Sequence, residues 1–374
     1  MKDIFKPYTA RGLALRNRIV MAPMTRARAP DDIADVCTAL YYTQRATAGL
    51  IISEGTPVSR EGQGYLFNPG IYSNAQIKGW RLTTDSVHAA GGKIFAQLWH
   101  VGRVSHTSIQ PDGAAPVSAT SKIAQGASAY GRDADGKPSF LLASAPRALS
   151  TTEVKRVVQD FANAAANAIA AGFDGIEVHA ANGYLFEQFF NPLINDRQDE
   201  YSNTLENRIR FAVEVVDAIA GRIGAERVGI RISPYGQLFD MPAYPDVAET
   251  YEALGRELAK RHISYVHIMD QGNFFMAPTD AGISETGREM LLKRLRTAIG
   301  DTTLILAGAL TKDRAQALIE AGLIDLAAFG TPFIANPDLV DRLYRGHPLS
   351  EPAKETFYGG GVEGYVDYPP YRPL

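Results

Sequence analysis

A histidine, an asparagine and a tyrosine lie close together in the stretch Gly175-Ile-Glu-Val-His-Ala-Ala-Asn-Gly-Tyr184. The apolar residues of its first half predict a buried strand that ends at His179, with Asn182 and Tyr184 in the first turn beyond it. The imidazole and the carboxamide can donate hydrogen bonds without carrying charge, and the phenol is a weak acid. Together they could hold an electronegative oxygen and deliver a proton nearby. The pattern indicates polarisation of a carbonyl or nitro group coupled to protonation of a neighbouring carbon.

Structural and metal-binding roles are the alternatives for these side chains. A lone histidine at a strand end more often makes a structural hydrogen bond, but the asparagine and tyrosine that follow it favour a reactive site. A metal centre is not indicated, because His179 and Asn182 are a poor ligand pair and the chain has one cysteine, Cys37. We therefore expect no metal.

The composition is that of an ordinary globular enzyme. The chain has 374 residues, 45% of them hydrophobic, and 38 basic against 41 acidic side chains give a net charge of −3. This balance, without a basic tract, argues against a nucleic-acid partner or an anionic membrane surface. No apolar run approaches the ~18 residues of a membrane span, and one cysteine cannot form an intrachain disulfide. We expect a cytoplasmic protein, monomer or homodimer, without membrane or nucleic-acid partners.

Eight short apolar runs alternate with helical stretches along the chain. This alternation predicts parallel strands joined by helical crossovers, and eight such strands close a (β/α)8 TIM barrel. An open doubly wound sheet would instead carry a Gly-x-Gly-x-x-Gly turn after the first strand, and the sequence has none there. We predict an α/β fold, a single barrel domain over residues 1–374, with strands at Arg18–Pro23, Leu50–Ser53, Ile94–Leu98, Gly175–His179, Val228–Ile232, Tyr265–Ile268, Leu304–Ala307 and Leu326–Phe329.

Three segments lie outside this simple alternation. Leu13–Asn17 could form an N-terminal hairpin that plugs the barrel floor. Ser105–Arg147, after the third strand, is too long for a simple crossover, so we expect an excursion over the barrel mouth that serves as a lid or substrate wall. Tyr235–Pro245 is a second excursion, after the fifth strand. The helix before the fourth strand is the clearest, because Ser150 and Glu153 have the spacing of a capping box.

The residues at the predicted strand ends could bind a flat ring. Active sites of such barrels lie at the C-terminal strand ends, where Thr25, Gln97 and Arg231 offer a hydroxyl, an amide and a fixed cation. This set suits an uncharged heterocycle with alternating donors and acceptors, on which an anion forms. Arg231 could instead be a structural cation paired with a carboxylate such as Glu54.

Glycine-bearing turns follow the seventh and eighth strands, where barrels commonly bind phosphate through backbone N–H groups. Gly308 and Ala309 form the first turn, and Gly330 and Thr331 form the second. The glycines could also serve only to permit tight connections. An isoalloxazine ring with a phosphate tail would use both these turns and the polar strand ends.

Several sequence blocks, in order and nearly from end to end, resemble the old yellow enzyme family of FMN-dependent ene-reductases. Threonine at position 25, where another branch of the family carries cysteine, resembles the branch named for the original enzyme. The blocks are Asn17-Arg-Ile-Val-Met-Ala-Pro-Met-Thr-Arg26, Ser53-Glu-Gly-Thr56, Gln97-Leu-Trp-His-Val-Gly-Arg103, His179–Gln188, Asn191-Pro-Leu-Ile-Asn-Asp-Arg197, Ala307–Thr311, Phe333-Ile-Ala-Asn-Pro-Asp338 and Phe357-Tyr-Gly-Gly-Gly361.

The resemblance implies a role for each matching residue. Thr25 would bond the flavin O4 region, and Gln97 and Arg231 would contact the pyrimidine side, with Arg231 countering the charge of reduced flavin. His179 and Asn182 would grip the substrate oxygen. The remaining implied positions are the proton donor Tyr184, the pocket walls Tyr65, Trp99 and Tyr358, the phosphate turns Gly308, Ala309, Gly330 and Thr331, and further cofactor contacts at Pro23, Met24 and Gly55.

One position departs from the family pattern. The residue after Gly330 is usually arginine in this family, and here it is Thr331. Threonine offers a hydroxyl but no cation, so one charge-assisted phosphate contact is missing. This departure leads to the hypothesis that FMN binds more weakly than is usual for the family.

The implied activity is reduction of an electron-poor alkene by NAD(P)H through non-covalent FMN. Hydride would pass from flavin N5 to the β-carbon of an α,β-unsaturated carbonyl or nitro compound, and Tyr184 would protonate the α-carbon. Reduction of nitrate esters or nitroaromatics at the same site is the alternative. A non-redox isomerase or aldolase with a phosphate site is a weaker one, since no strand end carries a Schiff-base lysine. A flavin-binding sensor without turnover is a third.

Overall fold

Eight parallel strands form a closed barrel in the computed structural model, which describes residues 3–271 and 285–372. Each strand pairs with its neighbour in chain order, and the eighth pairs with the first. The predicted (β/α)8 barrel is therefore confirmed. The strands are β1 (Ile19–Met21), β2 (Leu50–Pro57), β3 (Ile94–Trp99), β4 (Gly175–Ala180), β5 (Val228–Ile232), β6 (Tyr265–Met269), β7 (Thr303–Ala307) and β8 (Leu326–Phe329).

Helices follow every strand and cover the outside of the barrel. The capping box before β4 is present, because the Ser150 side chain accepts from the Glu153 N–H and the Glu153 carboxylate accepts from the Ser150 N–H. The helices are α1 (Val36–Thr43), α2 (Asn74–Ala89), α3 (Thr151–Ala170), α4 (Leu185–Phe190), α5 (Leu205–Ile223), α6 (Val247–Lys260), α7 (Glu285–Ile299), α8 (Lys312–Glu320), α9 (Thr331–Ala335) and α10 (Leu339–Arg345).

An N-terminal hairpin closes the floor of the barrel, as predicted, although it begins earlier than expected. Strand Tyr8–Ala10 pairs antiparallel with Leu13–Leu15. The Leu13 and Leu15 side chains join the apolar cluster inside the barrel, and the Tyr8 hydroxyl lies 2.9 Å from the Thr303 hydroxyl of β7. The opposite end of the barrel, formed by the C-terminal ends of the strands, remains open.

The excursion after β3 has structure of its own. Strands Ser128–Arg132 and Pro138–Leu142 form an antiparallel hairpin, and Val117–Ser118 pairs with Arg147–Ala148. The hairpin is tied to the loop after β2, because the Leu66 N–H donates to the Tyr130 carbonyl (2.8 Å). Phe140 of the hairpin packs against two residues that line the cavity at the open end of the barrel, Tyr65 (centroids 6.1 Å apart) and Tyr358 (5.9 Å). No residue of 105–147 lines the cavity itself, so the excursion lies behind these residues and does not form the substrate wall that we expected.

A buried arginine joins the two excursions. The Arg103 guanidinium donates to the Ile123 carbonyl of the first excursion (3.1 Å) and to the Asp240 carbonyl of the second (2.7 Å). The Arg103 side chain is completely buried. Five contacts to carbonyl and carboxylate oxygens from one fixed cation hold the two excursions together.

Strand β2 runs four residues beyond its predicted end. Its register against β3 shifts between Ile52 and Gly55, which marks a bulge at Ser53 and Glu54. The strand then continues to Pro57, so Gly55 lies inside the strand.

No helix in the described part of the chain combines the length and apolar character that a bilayer span requires.

Candidate active site

A cavity of about 560 Å³ opens at the C-terminal ends of the barrel strands. Of the residues predicted to bind cofactor or substrate, every one except Gly55 lines it. They come from the ends of β1, β3, β4, β5, β7 and β8, the loop after β2 and the C-terminal segment. They are Pro23, Met24, Thr25, Tyr65, Gln97, Trp99, His179, Asn182, Tyr184, Arg231, Gly308, Ala309, Gly330, Thr331 and Tyr358.

Gly55 contributes to packing beneath the cavity. A β-carbon at this position would lie 2.5 Å from Cε3 of Trp99, so only glycine lets the indole lie against the strand. The Gly55 carbonyl accepts from Asn68 Nδ2 (2.8 Å). Gly55 does not line the cavity, in contrast to the predicted cofactor contact at this position. The prediction placed Gly55 at the end of β2, whereas the strand continues to Pro57.

His179 lies at the end of β4 as a buried, neutral hydrogen-bond donor. Its Nδ1 accepts from the Ala181 N–H (3.3 Å), which leaves the proton of the neutral ring on Nε2. Burial, the Arg231 cation and His267 lower the pKa of His179 well below its ordinary value. The imidazole therefore offers one N–H to a ligand and stays uncharged at neutral pH.

Asn182 adopts a left-handed backbone conformation, with φ of 58°, in the turn after β4. Its backbone N–H donates to the Ser233 hydroxyl (2.7 Å), which in turn donates to Glu187 (2.6 Å). This chain of hydrogen bonds fixes the turn that carries Asn182. Because asparagine tolerates this conformation better than most residues, its presence here also meets a backbone requirement.

Tyr184 packs among aromatic rings on the same side of the cavity. Its ring centroid lies 5.0 Å from Trp99, 5.2 Å from His179 and 5.2 Å from Phe239. Burial and the neighbouring Tyr65 raise the pKa of Tyr184 well above its ordinary value. The phenol therefore keeps its proton at neutral pH, as a proton donor must.

Arg231 is a buried cation for which the described residues provide no carboxylate partner. Its Nη2 donates to Met269 Sδ (3.2 Å), and its Nε has no hydrogen-bond partner in that part of the chain. The structural alternative of an Arg231–Glu54 pair is not observed. Burial lowers the pKa of Arg231, and the nearby Glu177 carboxylate opposes that shift without forming an ion pair with it in the described residues. A buried guanidinium without a direct ion pair is costly, so its position at the cavity points to an anionic ligand.

Gln97 presents an acceptor beside this cation. Its Nε2 donates to Glu177 Oε1 (2.7 Å), and its backbone N–H donates to the Ser53 hydroxyl (3.0 Å). The Gln97 carbonyl oxygen is then the group left to accept from a ligand N–H. An acceptor and a cation that line the same cavity fit a ring that has both an N–H group and a carbonyl that becomes negative.

Glu54 positions the loop that carries Thr25. Its carboxylate accepts from the backbone N–H groups of Arg26 (3.1 Å) and Ala27 (3.2 Å). Burial raises the pKa of Glu54 to about 7, although these donors oppose the shift. The bulge in β2 thus turns Glu54 toward the neighbouring strand end, a role that the sequence did not reveal.

Two turns at the opposite side of the cavity have the backbone shape of an anion cradle. Gly308 has φ of 140°, and a β-carbon there would lie 2.5 Å from the Asp270 carbonyl oxygen. Ala309 follows with φ of 48°. Gly330 precedes α9, in whose first turn Pro332 has no N–H and the Phe333 N–H donates to the Gly330 carbonyl (2.8 Å), which leaves the Thr331 N–H for a ligand. These turns fit a phosphate, and the polar strand ends fit a flavin ring, so the described residues match FMN.

Two arginines hold the C-terminal segment, residues 356–364, against the cavity. Arg26 donates to the carbonyls of Phe357 (3.0 Å) and Gly364 (2.8 Å). Arg28 donates to the carbonyls of Thr356, Gly361 and Glu363. The segment brings Phe357 and Tyr358 to the lining of the cavity.

Sequence reasoning missed several residues of the lining. The second excursion was predicted, but the contribution of its Leu238 and Phe239 to the cavity was not. Arg26, Met269 and Phe357 were also missed. Arg26 and Phe357 lie inside the sequence blocks that carry the family resemblance, which was the available signal. Nothing local distinguishes Leu238 or Met269 from core residues.

The comparisons with known proteins agree on one family. Residues 3–350 match the family described as NADH:flavin oxidoreductase / NADH oxidase. The chain is 40% identical over 374 residues to 12-oxophytodienoate reductase 1 of Oryza sativa subsp. japonica, with 98% of this chain and 92% of that protein covered.

Solved structures show the same similarity. Morphinone reductase in complex with tetrahydroNAD is 42% identical with a TM-score of 0.93, covering 99% of this chain and 98% of that one. The old yellow enzyme homologue from Zymomonas mobilis is 37% identical with a TM-score of 0.90, covering 98% of this chain and 99% of that one.

The buried carboxylate of Glu187 should make stability depend on pH. Burial raises its pKa from 4.5 to about 7, so the folded state binds a proton that the unfolded state releases across this window. Stability from this group is present below pH 4.5 and is lost as the pH rises through 7. Between pH 5 and pH 7 the wild type should lose about 2 kcal/mol of unfolding free energy relative to Glu187→Gln.

Urea titrations of both proteins at the two pH values measure this difference. Glu206→Gln, at an exposed position, is the control and should follow the wild type. Equal pH dependence of the wild type and Glu187→Gln would show that the carboxyl does not titrate in this range.

Thr331→Arg should tighten FMN binding by about 3- to 10-fold, because it adds a cation to an exposed phosphate turn. Titration of the apoprotein with FMN, followed by flavin fluorescence, measures the dissociation constant. Thr331→Gln is the control, since it adds length without charge. A Thr331→Arg protein that binds FMN no more tightly than the wild type contradicts the hypothesis.

Proposed function

Because the chain belongs to the old yellow enzyme family of NADH:flavin oxidoreductases, an NAD(P)H-dependent family with FMN as cofactor, we propose that it reduces α,β-unsaturated carbonyl compounds. The observation that carries this proposal is the grouping of His179, Asn182 and Tyr184 on one side of the cavity. Family membership also argues against the non-redox isomerase or aldolase.

When bound, FMN would supply the hydride, which it obtains from NAD(P)H. The protein would hold the ring and the phosphate, bind the substrate oxygen and donate the proton. Thr25, Gln97 and Arg231 would hold the ring, and Gly308, Ala309, Gly330 and Thr331 would hold the phosphate. Arg231 contributes a buried positive charge that favours the anionic, reduced form of the ring. Its lack of a described carboxylate partner leaves that charge available.

His179 and Asn182 bind the oxygen of the activating group. As an alkene conjugated to a carbonyl accepts hydride at its β-carbon, negative charge grows on that oxygen. Two fixed neutral donors in a buried site stabilise this charge, and loss of one such donor typically costs ~3 kcal/mol of barrier. The low pKa of His179 matters here, because an imidazole that stays neutral keeps one proton and one orientation.

Tyr184 completes the reduction by giving its proton to the α-carbon. Hydride on one carbon and a proton on the other balance the addition across the double bond. Because burial raises the pKa of Tyr184, the phenol carries its proton at neutral pH and is ready to donate it. The surrounding rings of Trp99 and Phe239 restrict its position.

Reduction of nitroaromatic compounds and nitrate esters is the second candidate. A nitro oxygen can take the place of the carbonyl oxygen at the donor pair. The aromatic lining favours this candidate. Tyr65 lines the cavity together with Trp99 and Tyr358, whose ring centroids lie 5.7 and 5.9 Å from its own. Planar, electron-poor rings stack well on such rings.

Tyr184→Phe should separate the two half-reactions. It removes only the proton donor, so reduction of the bound flavin by NADPH should persist. Reoxidation of the reduced protein by cyclohexenone should slow by a factor on the order of 100 or more. Anaerobic stopped-flow absorbance of the flavin measures both rates.

The same variant distinguishes the two substrate classes. Transfer to a nitro group does not require the tyrosine proton, so trinitrotoluene should still oxidise the reduced variant at close to the wild-type rate. Tyr358→Phe, on the wall of the cavity, is the matched control. An equal loss in both half-reactions of Tyr184→Phe would show that Tyr184 is not the proton donor, and a wild type that cyclohexenone cannot reoxidise would refute the proposed function.

A further inference from the structure

We propose that Gln271 is a positioning residue that sets which face of the Asn182 amide is turned to the ligand. Gln271 follows β6 by two residues and is buried. Its Nε2 donates to Asn182 Oδ1 (2.9 Å). This inference rests on the proposed function, since it concerns the oxygen-binding pair of that site.

The orientation follows from a backbone group that can only donate. The Gln237 N–H donates to Gln271 Oε1 (3.2 Å), so the other end of the Gln271 amide must be its NH2. An NH2 group can only donate, so it selects the carbonyl oxygen of Asn182. The Asn182 NH2 is therefore left for the cavity that Asn182 lines.

Without this contact the Asn182 amide could rotate by half a turn. Its two ends have nearly the same shape but opposite hydrogen-bonding character. A carbonyl turned to the cavity would repel the activating oxygen that the NH2 attracts. The Gln271 contact also withdraws electron density through Oδ1, which strengthens the remaining N–H donors.

Gly236 supplies the space for Gln271. A β-carbon at position 236 would lie 2.8 Å from Gln271 Nε2. Gly236 and Gln237 belong to the second excursion, which also brings Leu238 and Phe239 to the cavity. The Gln271 amide thus connects the second excursion to Asn182, since it bonds the Gln237 N–H at one end and Asn182 Oδ1 at the other.

Three variants test the proposal, with cyclohexanone as a non-reducible probe of the oxygen site. Gln271→Met removes the donor and frees the Asn182 amide, so cyclohexanone should bind the oxidised holoprotein about 3- to 10-fold more weakly. Gln271→Glu should bind it more weakly still at pH 8, because a carboxylate selects the Asn182 NH2 and turns the carbonyl to the ligand. Gly236→Ala should weaken binding by displacing Gln271.

Lowering the pH should restore binding to Gln271→Glu but leave the wild type unchanged. Protonation of the introduced carboxylate provides a donor for Asn182 Oδ1 again. A structural defect would not recover in this way. Perturbation of the flavin spectrum by cyclohexanone measures each dissociation constant, and flavin content with the thermal midpoint reports whether each variant is folded.

A double-mutant cycle with Asn182→Ala shows whether Gln271 acts through Asn182. In the Asn182→Ala background, Gln271→Met should change cyclohexanone binding and the rate of cyclohexenone reduction by less than twofold. The proposal is overturned if Gln271→Met binds like the wild type, or if its loss is as large without Asn182. A wild type that binds cyclohexanone but does not reduce cyclohexenone overturns the proposed function and leaves the cyclohexanone result to decide the Gln271 contact.

Discussion

The buried guanidinium of Arg231 is the constraint around which the active site is organised. It forms no direct ion pair among the described residues, and the buried Glu177 carboxylate offsets its charge only from a distance. Burial and this charge together keep the neighbouring His179 neutral. The same charge suits a ring that becomes anionic when reduced. One buried cation thus links the proposed cofactor site to the protonation state of His179.

Buried carboxylates hold the strand ends that surround this charge. Glu54 binds the backbone beside Thr25, and Glu187 binds the Ser233 hydroxyl and the Gly183 N–H (2.6 Å) in the turn that carries Asn182. Burial raises the pKa of each of these two carboxyl groups to about 7. Each is therefore a buried ionisable group that costs stability and lies beside a loop of the site. The loops that carry Thr25 and Asn182 are therefore held in place by hydrogen bonds to these two buried carboxyl groups.

Most of the barrel, and the position of three polar residues at its open end, could be predicted because their signals are local. His179, Asn182 and Tyr184 lie within one turn, and the strand alternation repeats eight times. Gly55 was placed at a strand tip because the bulge that prolongs β2 has no local signature. Gln271 and Glu54 were missed because their roles depend on partners far along the chain, and an isolated glutamine or glutamate resembles any other polar residue.

The contacts of Arg26 and Arg28 make the C-terminal segment part of the wall of the cavity. Arg26 follows Thr25 directly and holds the carbonyls of residues 356, 357 and 364. Release of this segment would therefore remove Phe357 and Tyr358 from the cavity and free the loop that carries Thr25. By thermodynamic linkage, FMN should protect the segment against local opening by the same free energy with which the docked segment favours FMN. Cofactor retention and resistance to proteolysis at this tail are thus two readings of a single equilibrium.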